Sequence, residues 1–314
     1  PAGIEPGNLS TLGSLVGAQI TALDTVQGHS IFTRTVTAHD VAAGRIKVDR
    51  QCVATWNAGL GWGSKYFVEG LPSLLDRPGE WWFDAKGGKL YLWPPAAGDP
   101  GKQAIEISAR ERGITLTNRS HVVVDGLTFE LYDGAVVYQA NASTRGSRDN
   151  TLRRVTLRHG NIGVHLSQNA TGKARFVTRG FTLRDAKVGH MDTYGVFPNY
   201  YWSNGSAVDS FTHAGITGTR IQNTELHHLG FRSDHDFRVG NNFPYADDLR
   251  LIGNHVHHVA HCGVHFWAAV DVKSKKRAFT RAEIKTGRIL VKDNLVEKAC
   301  QLGADCGAIK FSGG

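Results

Sequence analysis

The residues with the most chemical reach in this chain fall into columns, not into one contiguous motif. Five segments each close an apolar stretch with an aliphatic residue: Leu157, Val188, Leu226, Val256 and Val296. Two positions after each comes a polar side chain: His159, His190, His228, His258 and Lys298. If the segments stack as successive strands ~4.8 Å apart, four imidazoles form a ladder. Imidazole titrates near neutrality and is a common metal ligand. A metal needs ligands that converge on one point, and a single column does not converge by itself. The expectation is therefore a stack of side chains that stabilises a turn, with no metal assigned.

A neighbouring column lies two residues before a turn glycine: Asn161, Thr193, His261 and Asp305. On adjacent coils, His261 and Asp305 would set a carboxylate beside an imidazole, a pairing suited to acid/base work near neutral pH. Asp before Gly is also a common turn residue, so a buried turn hydrogen bond is the other reading. Further carboxylates in reach are Asp234, Asp236, Asp271 and Glu297. Glycoside hydrolysis usually takes two carboxyl groups, ~5 Å apart for retention and ~6.5–9.5 Å for inversion. Stacked coils supply both spacings, and the companion of Asp305 is expected on the Asp271 loop or on coils beyond residue 314. For substrate binding the candidates are Tyr200, Tyr201, Trp202 and Trp267, whose rings offer flat partners to the apolar face of a sugar. His265 and Lys310, just after the turn glycines Gly263 and Gly307, complete that set.

The elements that must position these residues are short strands in a repeat. Alternating apolar residues, a polar turn and a further apolar pair recur at Val122–Phe129, Leu152–Leu157, Phe181–Val188, Arg220–Leu226, Leu249–Val256 and Ile289–Val296. Between copies stand Gly134-Ala135-Val136, Gly163-Val164-His165, Gly195-Val196-Phe197, Gly263-Val264-His265 and Gly307-Ala308-Ile309. A period of roughly 30 to 40 residues without helical spacing predicts stacked coils of a parallel β-helix over residues 103–314. Three excursions interrupt the repeat, Phe197–His213, Phe231–Asp248 (with Phe243 and Tyr245) and Trp267–Gly287, and excursions from one face usually build the binding surface. The last coil breaks off at Gly314. An uncapped coil is a sticky edge, so a partner or a further segment is expected to cover it.

Residues 1–102 read differently. Ile31–Val36 and Arg45–Val48 alternate as antiparallel strands do, and Glu80–Asp84, Gly87-Gly88 and Lys89–Trp93 form a hairpin pattern closed by Pro94-Pro95. This predicts a small antiparallel β domain ahead of the coils.

The composition narrows the function. A net charge of +8 over 314 residues and a pI near 9.4 suit an acidic partner such as a uronate polymer, or a solvated basic surface. No apolar run approaches the ~18 residues of a membrane span. P-loop, dinucleotide-binding and nucleophile-elbow motifs are absent, as are nucleic-acid-binding signatures, so neither a nucleotide cofactor nor a nucleic-acid partner is expected. Cys52, Cys262, Cys300 and Cys306 lack CxxC spacing. They are expected as small buried residues, with a disulfide among the last three open if the protein is exported.

Leu74-Leu75-Asp76-Arg77-Pro78-Gly79-Glu80-Trp81 and Gly88-Lys89-Leu90-Tyr91-Leu92-Trp93-Pro94-Pro95 resemble a segment of secreted right-handed parallel β-helix proteins active on carbohydrates, where it forms a β domain near the start of the helix. Asp305-Cys306-Gly307-Ala308-Ile309 is similar to the D-x-GAI turn of β-helix glycosidases, in which the Asp is a catalytic carboxylate. The resemblance implies an all-β, right-handed β-helix, secreted or periplasmic, acting on a poly- or oligosaccharide as a glycoside hydrolase, with Asp305 as nucleophile or base. The alternatives are a polysaccharide lyase on a uronate polymer, for which Ca²⁺ would be the cofactor, and a non-catalytic β-helix. In the relatives the second acid lies on a later coil, which leaves that role unassigned.

Overall fold

The computed structural model describes residues 9–23, 31–50, 65–96, 98–141, 146–168, 178–200, 216–232, 240–244, 248–267, 289–302 and 306–312. Apart from three short 3-10 turns, the regular structure of these residues is entirely β. They fall into two units, one within Pro1–Ile107 together with Arg232, the other within Ser108–Phe231 and Arg238–Gly314.

The first unit is antiparallel. Gln19–Leu23 lies between Ile31–Asp40 and Tyr66–Glu69, and Arg45–Val48 extends the sheet beyond Ile31–Asp40. Leu15, Ala18, Ile20 and Val36 form its core. Trp81–Asp84 pairs with Lys89–Leu92 across the turn that the glycines predicted.

The second unit is built from parallel sheets whose strand order follows the chain, repeat by repeat. Val123–Asp125, Thr151–Arg153, Thr182–Arg184, Arg220–Gln222, Arg250–Ile252 and Leu290–Lys292 form the first sheet. The second begins at Ile114–Thr115 and adds one strand per repeat: Thr128–Asn141, Thr156–Gln168, Lys187–Tyr200, Glu225–Leu229, His255–Val259 and Leu295–Glu297. Its three long strands run past an irregularity near Gly160 into a third stretch of pairing. Asn241–Pro244, Val264–Trp267 and Ile309–Ser312 continue that third sheet in the later repeats, linked to it by the Tyr194–Gly240 bridge.

Side chains alternate along a strand, so register decides which residues meet. Phe129, Leu157, Val188, Leu226, Val256 and Val296 are register partners in the second sheet, and Val124, Leu152, Leu183, Ile221, Leu251 and Val291 in the first. Both columns belong to one continuous apolar core. Each buried aliphatic side chain contributes ~1.5–3 kcal/mol.

Two backbone corners repeat with the strands. Gly126, Arg154, Asp185, Asn223, Gly253 and Asp293 all have positive φ, between 47° and 69°, and join the first sheet to the second. Five positions later Leu131, His159, His190, His228, His258 and Lys298 again have positive φ, between 49° and 63°. Asn, Asp and His are enriched in this left-handed region, where a short polar side chain can bond locally. The histidine column therefore occupies a corner, with a conformational reason for its residue type. At the inner side of the first corner, Asn254 donates to Asn294 Oδ1 at 2.8 Å and to the Ile221 carbonyl at 2.9 Å, which satisfies polar groups buried against the core.

Three expectations need correction. Phe243 is a core residue, 2% exposed, because Asn241–Pro244 is drawn into the third sheet; it is not part of an excursion. Phe197 likewise belongs to the strand Lys187–Tyr200 and is buried. Cys300 and Cys306 are not two small buried thiols but a disulfide, while Cys262 is a buried thiol outside that bridge. Cys52 lies outside the described residues.

Candidate functional site

Along the third sheet the residues between the core positions point away from the core. Tyr138, His165 and Phe197 are register partners there, and His265 and Lys310 are register partners in the later strands. Tyr138 and His165 meet edge to face at 5.3 Å, and His165 stacks on Phe197 at 5.5 Å. Tyr194 stacks on Phe197 at 4.2 Å. The Arg112 guanidinium lies over the Tyr138 ring, 3.9 Å from its centroid. The result is one row of aromatic, imidazole and cationic groups in which Tyr138, His165, His265 and Lys310 are half-buried and Phe197 is buried.

Burial, reinforced by the Arg112 charge, pushes the His165 pKa down to about 4, so this imidazole is neutral at physiological pH. Its buried Nε2 has no hydrogen-bond partner among the described residues. An unpaired buried nitrogen costs stability.

Of the expected site residues, the structure brings together His265 and Lys310, opposite one another on adjacent strands and both half-buried. Trp267 ends its strand next to Pro244 and Ser312, and Tyr200 ends the strand that pairs with Gln168. Tyr201, Trp202, Asp234, Asp236, Asp271 and Asp305 lie outside the described residues. His261 is buried at 4% exposure, and its carbonyl accepts the Cys300 N–H at 2.8 Å. In its column, Thr193 Oγ1 donates to Asn161 Oδ1 at 2.7 Å, so these positions do contact one another across coils. The sequence reading missed His165, Phe197, Tyr138 and Arg112. A signal for two of them was present, because the Gly-Val-X phrase that singled out His265 also yields His165 and Phe197.

A second cluster lies at the corner between the second and third sheets. His159, His190, His228 and His258 do form the predicted ladder, with ring centroids 5.0, 4.7 and 4.7 Å apart and rings within 18° of parallel. The column does not stand alone. His227 and His257, one residue earlier on their strands, form a second column stacked at 5.3 Å. The two columns touch: His227 and His228 approach Nδ1 to Nδ1 at 2.8 Å, and His257 and His258 at 2.7 Å.

Carboxylates brace this face. Glu225 accepts from His257 Nε2 at 3.1 Å and is paired with Lys187 at 3.0 Å, and Glu297 is paired with His255 at 3.1 Å. The hydrogen bond from Lys187, helped by that from His257, holds the Glu225 carboxyl down at about 2 against the opposing effect of burial. Burial together with the neighbouring imidazoles lowers His190 and His228, and brings His227 to about 4 despite the opposing charge of Glu225.

No protein-family model matches this chain, and no curated protein does. Among solved structures, the chain is similar to a glycoside hydrolase, with a TM-score of 0.62 and 14% identity over 81% of this chain and 51% of that one. The chain thus spans about half the length of that structure. At this identity the likeness establishes a shared fold.

Proposed function

We propose that the parallel sheets wind as a right-handed β-helix and that the chain is a carbohydrate-active protein, acting as a glycoside hydrolase on a poly- or oligosaccharide. The observation that carries this reading is the outward row of the third sheet. A saccharide offers apolar ring faces and a rim of hydroxyls. The row offers the half-buried ring of Tyr138, a neutral imidazole at His165, and hydrogen-bonding groups at His265 and Lys310. The strands that carry the row end at Tyr200, Pro244 and Trp267, so the excursions holding Tyr201, Trp202 and Asp271 leave from this sheet. The fold shared with a glycoside hydrolase supports the same reading.

In this proposal Asp305 supplies one carboxylate, as nucleophile or base, Asp271 is the candidate for the other, and His261 on the neighbouring coil tunes the pair. The Cys300–Cys306 disulfide supports a secreted or periplasmic setting, since such bonds persist in oxidising compartments.

A second reading is favoured by charge. His265 and Lys310 are nitrogen bases and Arg112 a fixed cation on a chain with net charge +8, which suits a uronate polymer and a lyase in which Lys or His removes the proton α to the carboxylate and Arg neutralises that carboxylate. Calcium, which such a lyase would bring, takes six to eight oxygen ligands. The described residues of this row present imidazole and ammonium nitrogens, aromatic rings and a single phenol oxygen, so they do not fit calcium.

The test is to incubate the purified chain with neutral and with uronate polysaccharides, following reducing ends and ultraviolet absorbance together. New reducing ends without absorbance identify hydrolysis, and Asp305→Asn should then abolish turnover while leaving binding intact. Both signals rising together identify a lyase. Neither signal, with the chain folded, overturns the enzymatic reading.

A further inference from the structure

The histidine corner is distinct from the saccharide row, and no role in carbohydrate chemistry has been assigned to it. On a flat strand, adjacent side chains point to opposite faces, so His227 and His228 should diverge. They do not, because His228 takes φ of 51° and turns the chain through a corner, leaving both rings outside the core with their Nδ1 atoms 2.8 Å apart. The preceding coil delivers His190 to the same place, stacked 4.7 Å from His228 and edge-on to His227 at 5.2 Å. One ring nitrogen from each of the three lies within 4.8 Å of the others.

A glycine makes the room. Gly189 is the register partner of His227, and a Cβ built on it would lie 2.3 Å from Cε1 and Nε2 of that ring. Any other residue at 189 would push His227 off its seat. The imidazole lies where a neighbouring strand would normally place a side chain of its own.

We propose that this corner is a first-row transition-metal site, with His190, His227 and His228 as its protein ligands and a fourth position open to water. Three nitrogens and no oxygen suit Zn²⁺, Cu²⁺ or Ni²⁺ and not Ca²⁺ or Mg²⁺. Zinc bonds to imidazole are ~2.0–2.1 Å long, which in a tetrahedron sets nitrogens about 3.3 Å apart. With one nitrogen of each ring already within 4.8 Å of the others, none needs to close by more than about 1.5 Å. Rotation of exposed or half-buried rings supplies such movements without disturbing the core. The nearby cations are already neutralised: Arg158 is paired with Glu130, and Lys187 with Glu225.

The test needs no substrate, so it stands or falls apart from the carbohydrate reading. The full chain, stripped with a chelator, is titrated with Zn²⁺ by calorimetry and with Co²⁺ by visible absorption. The expected result is one ion per chain, tetrahedral Co²⁺ bands and a raised thermal midpoint. His190→Asn and His228→Asn keep a residue that tolerates the left-handed corner, so both variants should fold. Together they should weaken Zn²⁺ binding more than about a hundredfold, since even outer-shell changes cost 10–100-fold. Gly189→Ala removes no ligand yet should weaken binding by displacing His227, and His255→Asn on the same face should leave it unchanged. Absence of binding, or binding that survives His190→Asn with His228→Asn, overturns the proposal.

Discussion

At the scale of single residues, this chain is governed by what the left-handed corners tolerate. Asn223 sits at φ of 47°. A β-branched side chain there meets the steric penalty of that region, whereas glycine does not. Asn223→Val should therefore lose ~1–2 kcal/mol of stability, and Asn223→Gly should be nearly neutral, as read from urea unfolding midpoints. The histidines make a second prediction. His165 and His227 have folded pKa values near 4, below the 6.5 of an unfolded imidazole. As pH falls through 6.5 the unfolded chain takes up protons that the folded chain refuses, so stability drops between pH 6.5 and 4. Glu225, held down at about 2 from 4.5, adds a loss of the same sign at still lower pH. The urea midpoint should thus fall steadily from pH 7 to pH 5, and a flat profile would contradict the burial assigned to these rings. The ladder itself was legible in the sequence, because His159, His190, His228 and His258 each follow an inward aliphatic by two positions. Its convergence with His227 was not. That depends on the sign of φ at the corner, which residue type biases but does not determine.

At the scale of elements, the inward columns hold the stack together, and each column is only as good as its register. Leu226 is 2% exposed and lies between Val188 and Val256 on adjacent strands. Leu226→Ala leaves a cavity between coils on both sides and should cost about 2–5 kcal/mol, with a lowered thermal midpoint and a preserved β circular-dichroism spectrum. The repeats predicted these strands well because alternating Val, Leu and Ile residues mark them directly. Asn241–Pro244 shows where that signal fails. Asn-Asn-Phe-Pro has poor strand propensity, and it is a strand because Val264–Trp267 lies alongside and pairs with it. Long-range pairing overrode local preference, which is why Phe243 was expected on an excursion and is found in the core. The disulfide was underdetermined for a related reason: three cysteines in the later coils admit several pairings, and their spacing alone does not say which two come within bonding reach, as Cys300 and Cys306 do with Cα atoms 5.7 Å apart.

At the scale of the molecule, a stack of coils behaves as a one-dimensional array in which each coil is stabilised by its neighbours. Interior coils are paired on both sides, but the strands Leu290–Lys292, Leu295–Glu297 and Ile309–Ser312 each have a paired neighbour on one side only among the described residues. Their apolar side chains are exposed there: Phe311 at 69%, Leu295 at 55% and Leu290 at 42%. Phe311 stacks on Phe266 at 4.7 Å with one face and presents the other outward. A row of unpaired backbone groups beside exposed apolar side chains is a template for pairing with another chain, and a lysine on such an edge discourages it. A preparation of these 314 residues alone should therefore self-associate as its concentration rises, and Leu295→Lys should shift its sedimentation velocity profiles back toward monomer. Leu295 is the better probe than Phe311, because it lies outside the core and its replacement leaves the Phe266 stack intact. Association that is insensitive to Leu295→Lys and to salt would place the contact elsewhere, since a charge on a self-pairing edge acts through repulsion that salt screens.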